Sequence, residues 1–453
     1  MSLPVPLLIN GESITTPKTF PIISPYTNTE IWSSSSASPE DALRAVEAAN
    51  AAFPSWSTTK PTLRRDILLK AANNLEASLD ENASYMRQEM GADVGASAGF
   101  VVPLAIRMLR DIASRITSIC GSVPVVEAEG QSAIIYKEAM GVILGIVPWN
   151  APYVFGIRSA ACALAAGNTT ILKSSELTPR CYWAIGKAFQ DAGLPDGCLN
   201  VIHCAAEDAP GVVNAMIEHE AVRKVNFTGT WGKNSSIVCQ DADLGVAVQG
   251  VLAGAFLNSG QICMATDRIL VHSSIVGAFT AALQGALSGA AAAAADPPTL
   301  VNVASKARVE ALVAGAVSAG AHFISGSGKG AAGEGVRLAP TVLGGVKEDM
   351  AVWQEESFAS VAAIMPFDSE EEAIRLANGS GYGLSASVFT EDLRKGLRMA
   401  KRIQSGAVHI NSMTIHDEPA LPHGGVKNSG WGRFNTEEGL NEFLVSKSVT
   451  WMD

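Results

Sequence analysis

Cysteines and charges are sparse in this sequence, and positive charge is the minority sign. The 453 residues include 7 cysteines, scattered and without a Cys-x-x-Cys pair. Neither a zinc ribbon nor a disulfide framework is expected from that pattern. Lys and Arg number 33 against 44 Asp and Glu, a net charge of −11. Nothing in that balance would neutralise a phosphate backbone or an anionic lipid surface, which argues against nucleic-acid and membrane partners. Convincing membrane spans are missing too. Residues 142–157 carry no charge but are broken by Pro148, Asn150 and Pro152, and residues 269–295 are mostly Ala, Gly and Ser. The first residues, MSLPVPLLINGES, lack the basic segment and long apolar run of a signal peptide. A soluble protein of the cytoplasm, a reducing compartment, is expected.

Apolar residues make up 47% of the chain and charged ones 17%. That composition excludes wholesale disorder and suits large cores or surface hidden in an oligomer. At roughly 100–200 residues per domain the length suggests two to four domains.

Residues 8–31 carry short strand and turn signals, and Ser38-Pro39-Glu40-Asp41 opens a helix with a capping signature. Helical periodicity continues over 60–119, and residues 122–140 suggest a hairpin. From residue 141 apolar strands alternate with helices: VILGIVP, 157–166, NTTILK, 178–193, CLNVIH, 207–218 and KVNFTG. A second alternating run follows, with helices 243–258, 275–290, 303–318 and 370–376 and strands 268–272, HFISG and AVHIN. Such alternation predicts an α/β fold with parallel sheets. The alanine run at 290–295 has the composition of a frayed helix end.

Several motifs carry possible chemistry. Gly328-Lys-Gly330-Ala-Ala-Gly333 satisfies GxGxxG, but a strand-like, Pro-broken segment follows it. A dinucleotide fingerprint must open a helix, so this one is expected to be a surface loop. Cys263 follows the sharp polar break Asn258-Ser259-Gly260-Gln261, which can expose a cysteine on a loop; a buried inert thiol is the ordinary alternative. Asn150 ends the strand VILGIVP, where α/β sheets place ligands, and its amide could donate to an oxyanion or simply start a turn. Lys173 and Glu176 end the next strand and could meet sugar hydroxyls, or cap a loop. Glu355-Glu356-Ser357-Phe358 follows Trp353 in a loop, with a solvated acidic turn as its plain reading. His409, His416 and His423 are seven residues apart, but Asn411, Pro419 and Pro422 break any helix, and no metal site is expected.

Taken in order, PWN, LKSSE, NFTG, GQIC, EESF and LPHGGVKNSGWGR resemble the aldehyde dehydrogenase superfamily over essentially the whole chain. GAFLNSGQICM and HINSMTIHDEPALPHGGVKNSGWGRF look most like its salicylaldehyde and vanillin dehydrogenase branch, which oxidises aromatic aldehydes. The resemblance implies a Rossmann-like cofactor domain at 1–119 and 142–232 and a catalytic domain at 233–430. Strands at 120–141 and 443–453 would bridge the subunits of a homodimer or homotetramer. It makes Cys263 the nucleophile and Asn150 the oxyanion donor. Ile146, Pro148, Trp149, Lys173, Glu176, Gly229, Glu356 and Phe358 match cofactor-binding positions. Glu176 would accept both ribose hydroxyls and repel a 2′-phosphate, so NAD is implied rather than NADP.

One stretch departs from the family pattern. Gly229-Thr-Trp-Gly232-Lys233 stands where the family has a phosphate turn, a helix, a strand and a Glu-Leu-Gly-Gly-Lys element. A four-turn helix and a short strand need roughly twenty-odd residues, so about that many are absent. The family's Glu is its general base, and no Glu lies between Glu220 and Cys263. Asp241 and Asp243 match the acidic pair that opens the next helix, not the base. The missing strand is expected to leave unpaired edges or a core gap. Besides an active NAD-dependent aldehyde dehydrogenase, two alternatives follow: a catalytically impaired homologue with a binding or structural role, and a mis-spliced form of a longer active enzyme. A smaller departure, Ala359-Ser360 where the family usually has Gly-Pro, bears on the shape of the Glu356 loop.

Overall fold

A computed structural model describes residues 3–229, 232–293, 298–329 and 335–452. Two large sheets organise it, as an α/β fold requires. The first has six strands in the order Glu12–Ile14, Leu7–Ile9, Leu199–Ile202, Thr169–Lys173, Val142–Ile146 and Val222–Phe227. Its last four strands run parallel. Val142–Ile146 and Thr169–Lys173 are covered on both faces, which is why they read as apolar runs without alternation. Helix Pro152–Ala165 packs against them and is buried along its whole length.

The second sheet has seven strands, in the order His322–Ser325, Thr341–Gly344, Val361–Phe367, Thr266–His272, Asn234–Val238, Ser385–Phe389 and Ala407–Ile410. All neighbours are parallel except the antiparallel edge strand His322–Ser325. A third, two-stranded sheet pairs Leu444–Met452 with Gln131–Ala139 along their full lengths. Among the described residues no helix is long and apolar enough to cross a membrane.

One expectation is corrected and two are refined. Residues 122–140 do not form a two-armed hairpin: only Ser122 bridges Ile135, and the ladder partner of Gln131–Ala139 is the distant Leu444–Met452. Pro124 has no N–H to give a ladder, and Val123 and Val125 stand exposed. The helical stretch 60–119 is divided into Pro61–Ala77, Leu79–Met90 and Val102–Arg115, with a π-helical turn at Gly95–Val101. The alanine-rich helix runs Val276–Ala293, and residues 294–295 of the alanine run lie outside the described residues.

Strand Val222–Phe227 is the last in its sheet, and its side chains alternate between part-buried and exposed. Val225 and Phe227 are 38% and 58% exposed. Among the described residues the sheet therefore ends in an open edge, and the next strand, Asn234–Val238, already belongs to the second sheet. Six residues join Phe227 to Asn234, too few for a helix of four turns. Thr230 and Trp231, at the centre of the departure, lie outside the described residues, as do Gly330 and Gly333 of the GxGxxG string.

Candidate active site

Cys263 is presented by a strained turn. Helix Leu244–Phe256 ends, and Asn258, Ser259 and Gly260 then follow one another in the left-handed region at φ 50°, 57° and 71°. Such a run persists only where its surroundings hold it. Here the surroundings do. Gln261, almost fully buried, donates to the Thr299 carbonyl at 3.1 Å and accepts from the Val301 N–H at 2.8 Å. The Thr299 N–H donates to Ser259 Oγ at 3.0 Å, and the Asn234 amide donates to the Cys263 and Ala265 carbonyls, each at 2.8 Å. A side chain at position 260 would meet the Ala359 carbonyl oxygen at 2.2 Å, so glycine is required there.

The other half of the site comes from the first sheet. Strand Val142–Ile146 runs out into Val147-Pro148-Trp149-Asn150 before Pro152 starts the next helix. Asn150 is buried, and its Nδ2 donates to the Gln261 carbonyl at 3.1 Å, which ties it to the Cys263 turn across 111 positions of sequence. Trp149 meets Phe358 edge to face, with ring centroids 5.5 Å apart. Phe358 has φ 49°, an outlier for an aromatic residue.

The loop carrying Glu356 is clamped on every side. Arg308 donates to the Glu356 carbonyl at 3.1 Å and to the Ser357 carbonyl. Asp267 accepts from the Ser357 N–H at 3.0 Å and from its hydroxyl at 2.8 Å, and it pairs with buried Lys233 at 3.1 Å. The Gly232 N–H donates to Glu356 Oε1 at 2.9 Å. The loop thus keeps a defined shape with Ala359-Ser360 in place of Gly-Pro.

A cavity of about 690 Å³ gathers most of the expected residues: Pro148, Trp149, Asn150, Gly229, Cys263, Glu356 and Phe358 all line it. Ile146, Lys173 and Glu176 do not; they belong to the strand ends behind it, where Ile146 lies in register with both Lys173 and Phe227. Asn226 Oδ1 and Thr228 Oγ1 also belong to residues lining the cavity, and both atoms are buried without a hydrogen-bond partner among the described residues. Burial and then the charge of Glu356 push the Cys263 thiol up to about 12. Burial, followed by the neighbouring Asp267, pushes the Glu356 carboxyl up to about 8.

Beyond Cys263 a narrower apolar cleft opens, lined by Phe100, Leu104, Val154, Phe155, Leu257 and Ile262. The π-helical turn Gly95–Val101 delivers Ala96, Phe100 and Val101 to it. Its polar end is a group that no sequence motif marked: Arg158 and Asp417 form a buried ion pair, with the Asn435 amide on Asp417 at 3.1 Å and His423 Nδ1 at 4.0 Å. Burial opposes the charge on Asp417, but Arg158, His423 and Asn435 hold its carboxyl below the ordinary value. Arg158 is the only charged residue in the buried helix Pro152–Ala165, and a buried charge demands a partner. That was the available signal; its partner lies 259 positions away. His409 and His416 have ring centroids 5.0 Å apart, yet among the described residues no three His, Cys, Asp or Glu side chains are grouped to hold a metal ion.

Asp241 and Asp243 are committed elsewhere. Asp241 accepts from Thr390 and Lys395, each at 2.7 Å, and Asp243 caps helix Leu244–Phe256 through the Val246 N–H at 2.9 Å. Neither lines the cavity.

The model of the aldehyde dehydrogenase family matches residues 13–231 and 230–449, two segments that overlap at 230–231. A vanillin dehydrogenase of Pseudomonas fluorescens is 40% identical over 480 aligned positions, covering 99% of this chain and 98% of that one. Those 480 positions exceed the 453 residues here, so the relative carries residues without a counterpart in this chain. The crystal structure of a salicylaldehyde dehydrogenase from Pseudomonas putida G7, complexed with salicylaldehyde, superimposes with a TM-score of 0.95 at 33% identity, covering 99% of this chain and 98% of that one. A betaine aldehyde dehydrogenase from Staphylococcus aureus in complex with NAD+ gives 0.93 at 29% identity, covering 99% and 95%.

Proposed function

The chain belongs to the aldehyde dehydrogenase family, and on that premise we propose that it oxidises an aromatic aldehyde to the carboxylic acid with NAD. The carrying observation is the convergence of Cys263 and the Asn150 amide on one cavity, joined through Gln261. The relatives named for vanillin and salicylaldehyde, and the apolar cleft beyond Cys263, support an aromatic substrate.

Cys263 Sγ gives up its proton to solvent as it attacks the aldehyde carbon, forming a thiohemiacetal alkoxide. Asn150 Nδ2 and the Cys263 backbone N–H hold the oxygen on which charge develops. A nicotinamide dinucleotide, when bound, supplies the acceptor for the hydride that leaves this carbon. Cys263 is then left as a thioester, which water must hydrolyse to release the acid. The fit of the dinucleotide rests on the unpartnered Asn226 Oδ1 and Thr228 Oγ1 in the cavity wall and on the Trp149–Phe358 pair beside it. Ile146, Pro148, Trp149, Gly229, Glu356 and Phe358 would hold it, with Lys173 and Glu176 at the adenosine ribose. Glu176 at that position favours NAD over NADP. The exposed Tyr136, Val445, Val449, Trp451 and Met452 on the two-stranded sheet support a homodimer or homotetramer.

The test is NADH formation on mixing the protein with vanillin and NAD. Turnover is expected, and Cys263→Ala is expected to abolish it while leaving the fold intact. Absence of NADH from well-folded wild-type protein overturns the assignment. The absence of a Glu between Glu220 and Cys263 favours a second reading, an enzyme that acylates Cys263 and stalls. Repeated turnover per Cys263 excludes it. The shortened junction also fits a longer natural protein, and sequencing the transcript across codons 229–232 decides that.

A further inference from the structure

Hydrolysis of the Cys263 thioester needs a group that takes a proton from the attacking water, and only some side chains near Cys263 are free to do so. Asp417 is buried against Arg158 and Asn435, and its carboxyl is held low. Glu442 is tied to Lys224 at 2.9 Å. His423 is driven down to about 4 by burial, which leaves a neutral but weakly basic imidazole. Glu356 is different. It is buried, lines the cavity with Cys263, and among the described residues has one hydrogen bond to its carboxylate, from Gly232 to Oε1. Lys233 pairs with Asp267, and Arg308 donates to backbone carbonyls of the loop, so neither cation is spent on the Glu356 carboxylate.

The link to Cys263 is short. A Cβ on Gly232 would lie 2.0 Å from the Cys263 carbonyl oxygen, so the residue bonded to the Glu356 carboxylate is in van der Waals contact with the Cys263 backbone.

We propose that Glu356 is the general base for release of the acid from Cys263 in this chain, acting through Oε2 while Gly232 fixes Oε1. The inference rests on the aldehyde-oxidising role proposed above. In the step, the water oxygen bonds to the thioester carbon as its proton passes to Glu356. The tetrahedral adduct then collapses, the C–S bond breaks, and the Cys263 sulfur leaves and takes the proton back from Glu356. Free acid, thiol and carboxylate result, with no change of oxidation state.

A cofactor-free assay separates this role from any contact with a dinucleotide. p-Nitrophenyl acetate acylates a reactive cysteine directly, and sustained nitrophenolate release then reports deacylation. The wild-type protein should show a burst and a steady phase. Glu356→Gln should keep the burst and slow the steady phase by ~100-fold or more, the usual loss on removing a general base. Acetyl-Cys263 should then accumulate in the intact mass spectrum and be discharged by hydroxylamine. Glu356→Asp should restore part of the steady phase, and comparable melting temperatures exclude misfolding. If a variant fails to fold, the wild-type pH profile serves instead. Burial, then Asp267, against the Gly232 N–H and the charges of Lys233 and Arg308, sets the ionisation of Glu356, which also faces Cys263, and steady-phase deacylation should rise with pH and level off above about 8. A hydroxide-driven hydrolysis would keep rising, and that result overturns the proposal. An unchanged steady phase in Glu356→Gln, or its loss in His423→Gln alone, also overturns it. A wild-type protein that acylates once and never discharges does the same. No acylation of Cys263 at all removes the aldehyde-oxidising role first.

Discussion

Asn150 shows how a single side chain gains its role from its neighbour. Its amide donates to the Gln261 carbonyl, and that bond fixes the orientation of the donor beside Cys263. Asn150→Ala should lower kcat by ~100–1,000-fold, the usual cost of removing one oxyanion donor, with the KM for NAD little changed. An unaltered kcat would mean that the amide only braces the turn. Cys263, Asn150, Glu356 and Phe358 were legible in the sequence because each lies in a short local motif. Arg158 and Asp417 were not, because their pairing spans most of the molecule and no local pattern records it.

At the scale of elements, the turn Leu257–Gly260 decides whether Cys263 faces the cavity at all. Its left-handed run is a local conflict that Gln261, Ser259 and Asn234 resolve through their hydrogen bonds. Gly260→Ala places a methyl against the Ala359 carbonyl at a φ of 71°. Strain of this kind costs roughly 1–3 kcal/mol per residue, and the backbone clash adds to it. The variant should melt at a lower temperature and alkylate at Cys263 at an altered rate; a wild-type melting curve would contradict the reading. Most helices in the alternating regions were legible from periodicity, and Val303–Ser318 matches its expected range. Strands Val361–Phe367 and Ser385–Phe389 were not singled out: neither alternates, and Pro366 and the serines Ser385 and Ser387 break the plain apolar run that marked VILGIVP. The supposed hairpin at 122–140 failed for a related reason: one strand signal was real, but its partner came from the other end of the chain.

The whole molecule carries buried ionisable groups whose effects on stability oppose one another. Burial raises Glu89 to about 7 and Glu356 to about 8, so the folded state keeps these carboxyls protonated where the unfolded chain has lost the proton. Their contribution is complete below the ordinary value of 4.5 and declines as pH rises through 7 and 8. Burial lowers His203 to about 3, and His409 and His423 to about 4. The unfolded chain protonates those rings below 6.5 while the folded protein resists, so their contribution is lost as pH falls. Thermal stability should therefore peak near neutral pH, falling toward both pH 8.5 and pH 4.5 by these linked ionisations. A melting temperature that climbs steadily to alkaline pH would refute this balance.

The order of local motifs along the chain was enough to identify the family and to single out the candidate nucleophile. Each of these depends on residue type and spacing over a few positions, which a linear sequence preserves. Tertiary structure alone decided the rest. It showed that the first sheet stops at an open edge, that Gly232 meets the Glu356 carboxylate, and that Arg158 is paired with Asp417. It also showed that Asp241 and Asp243 are bound elsewhere. Those facts depend on which distant segments pack together, and on burial, which sets the basicity of a carboxylate and leaves no mark in the sequence around it.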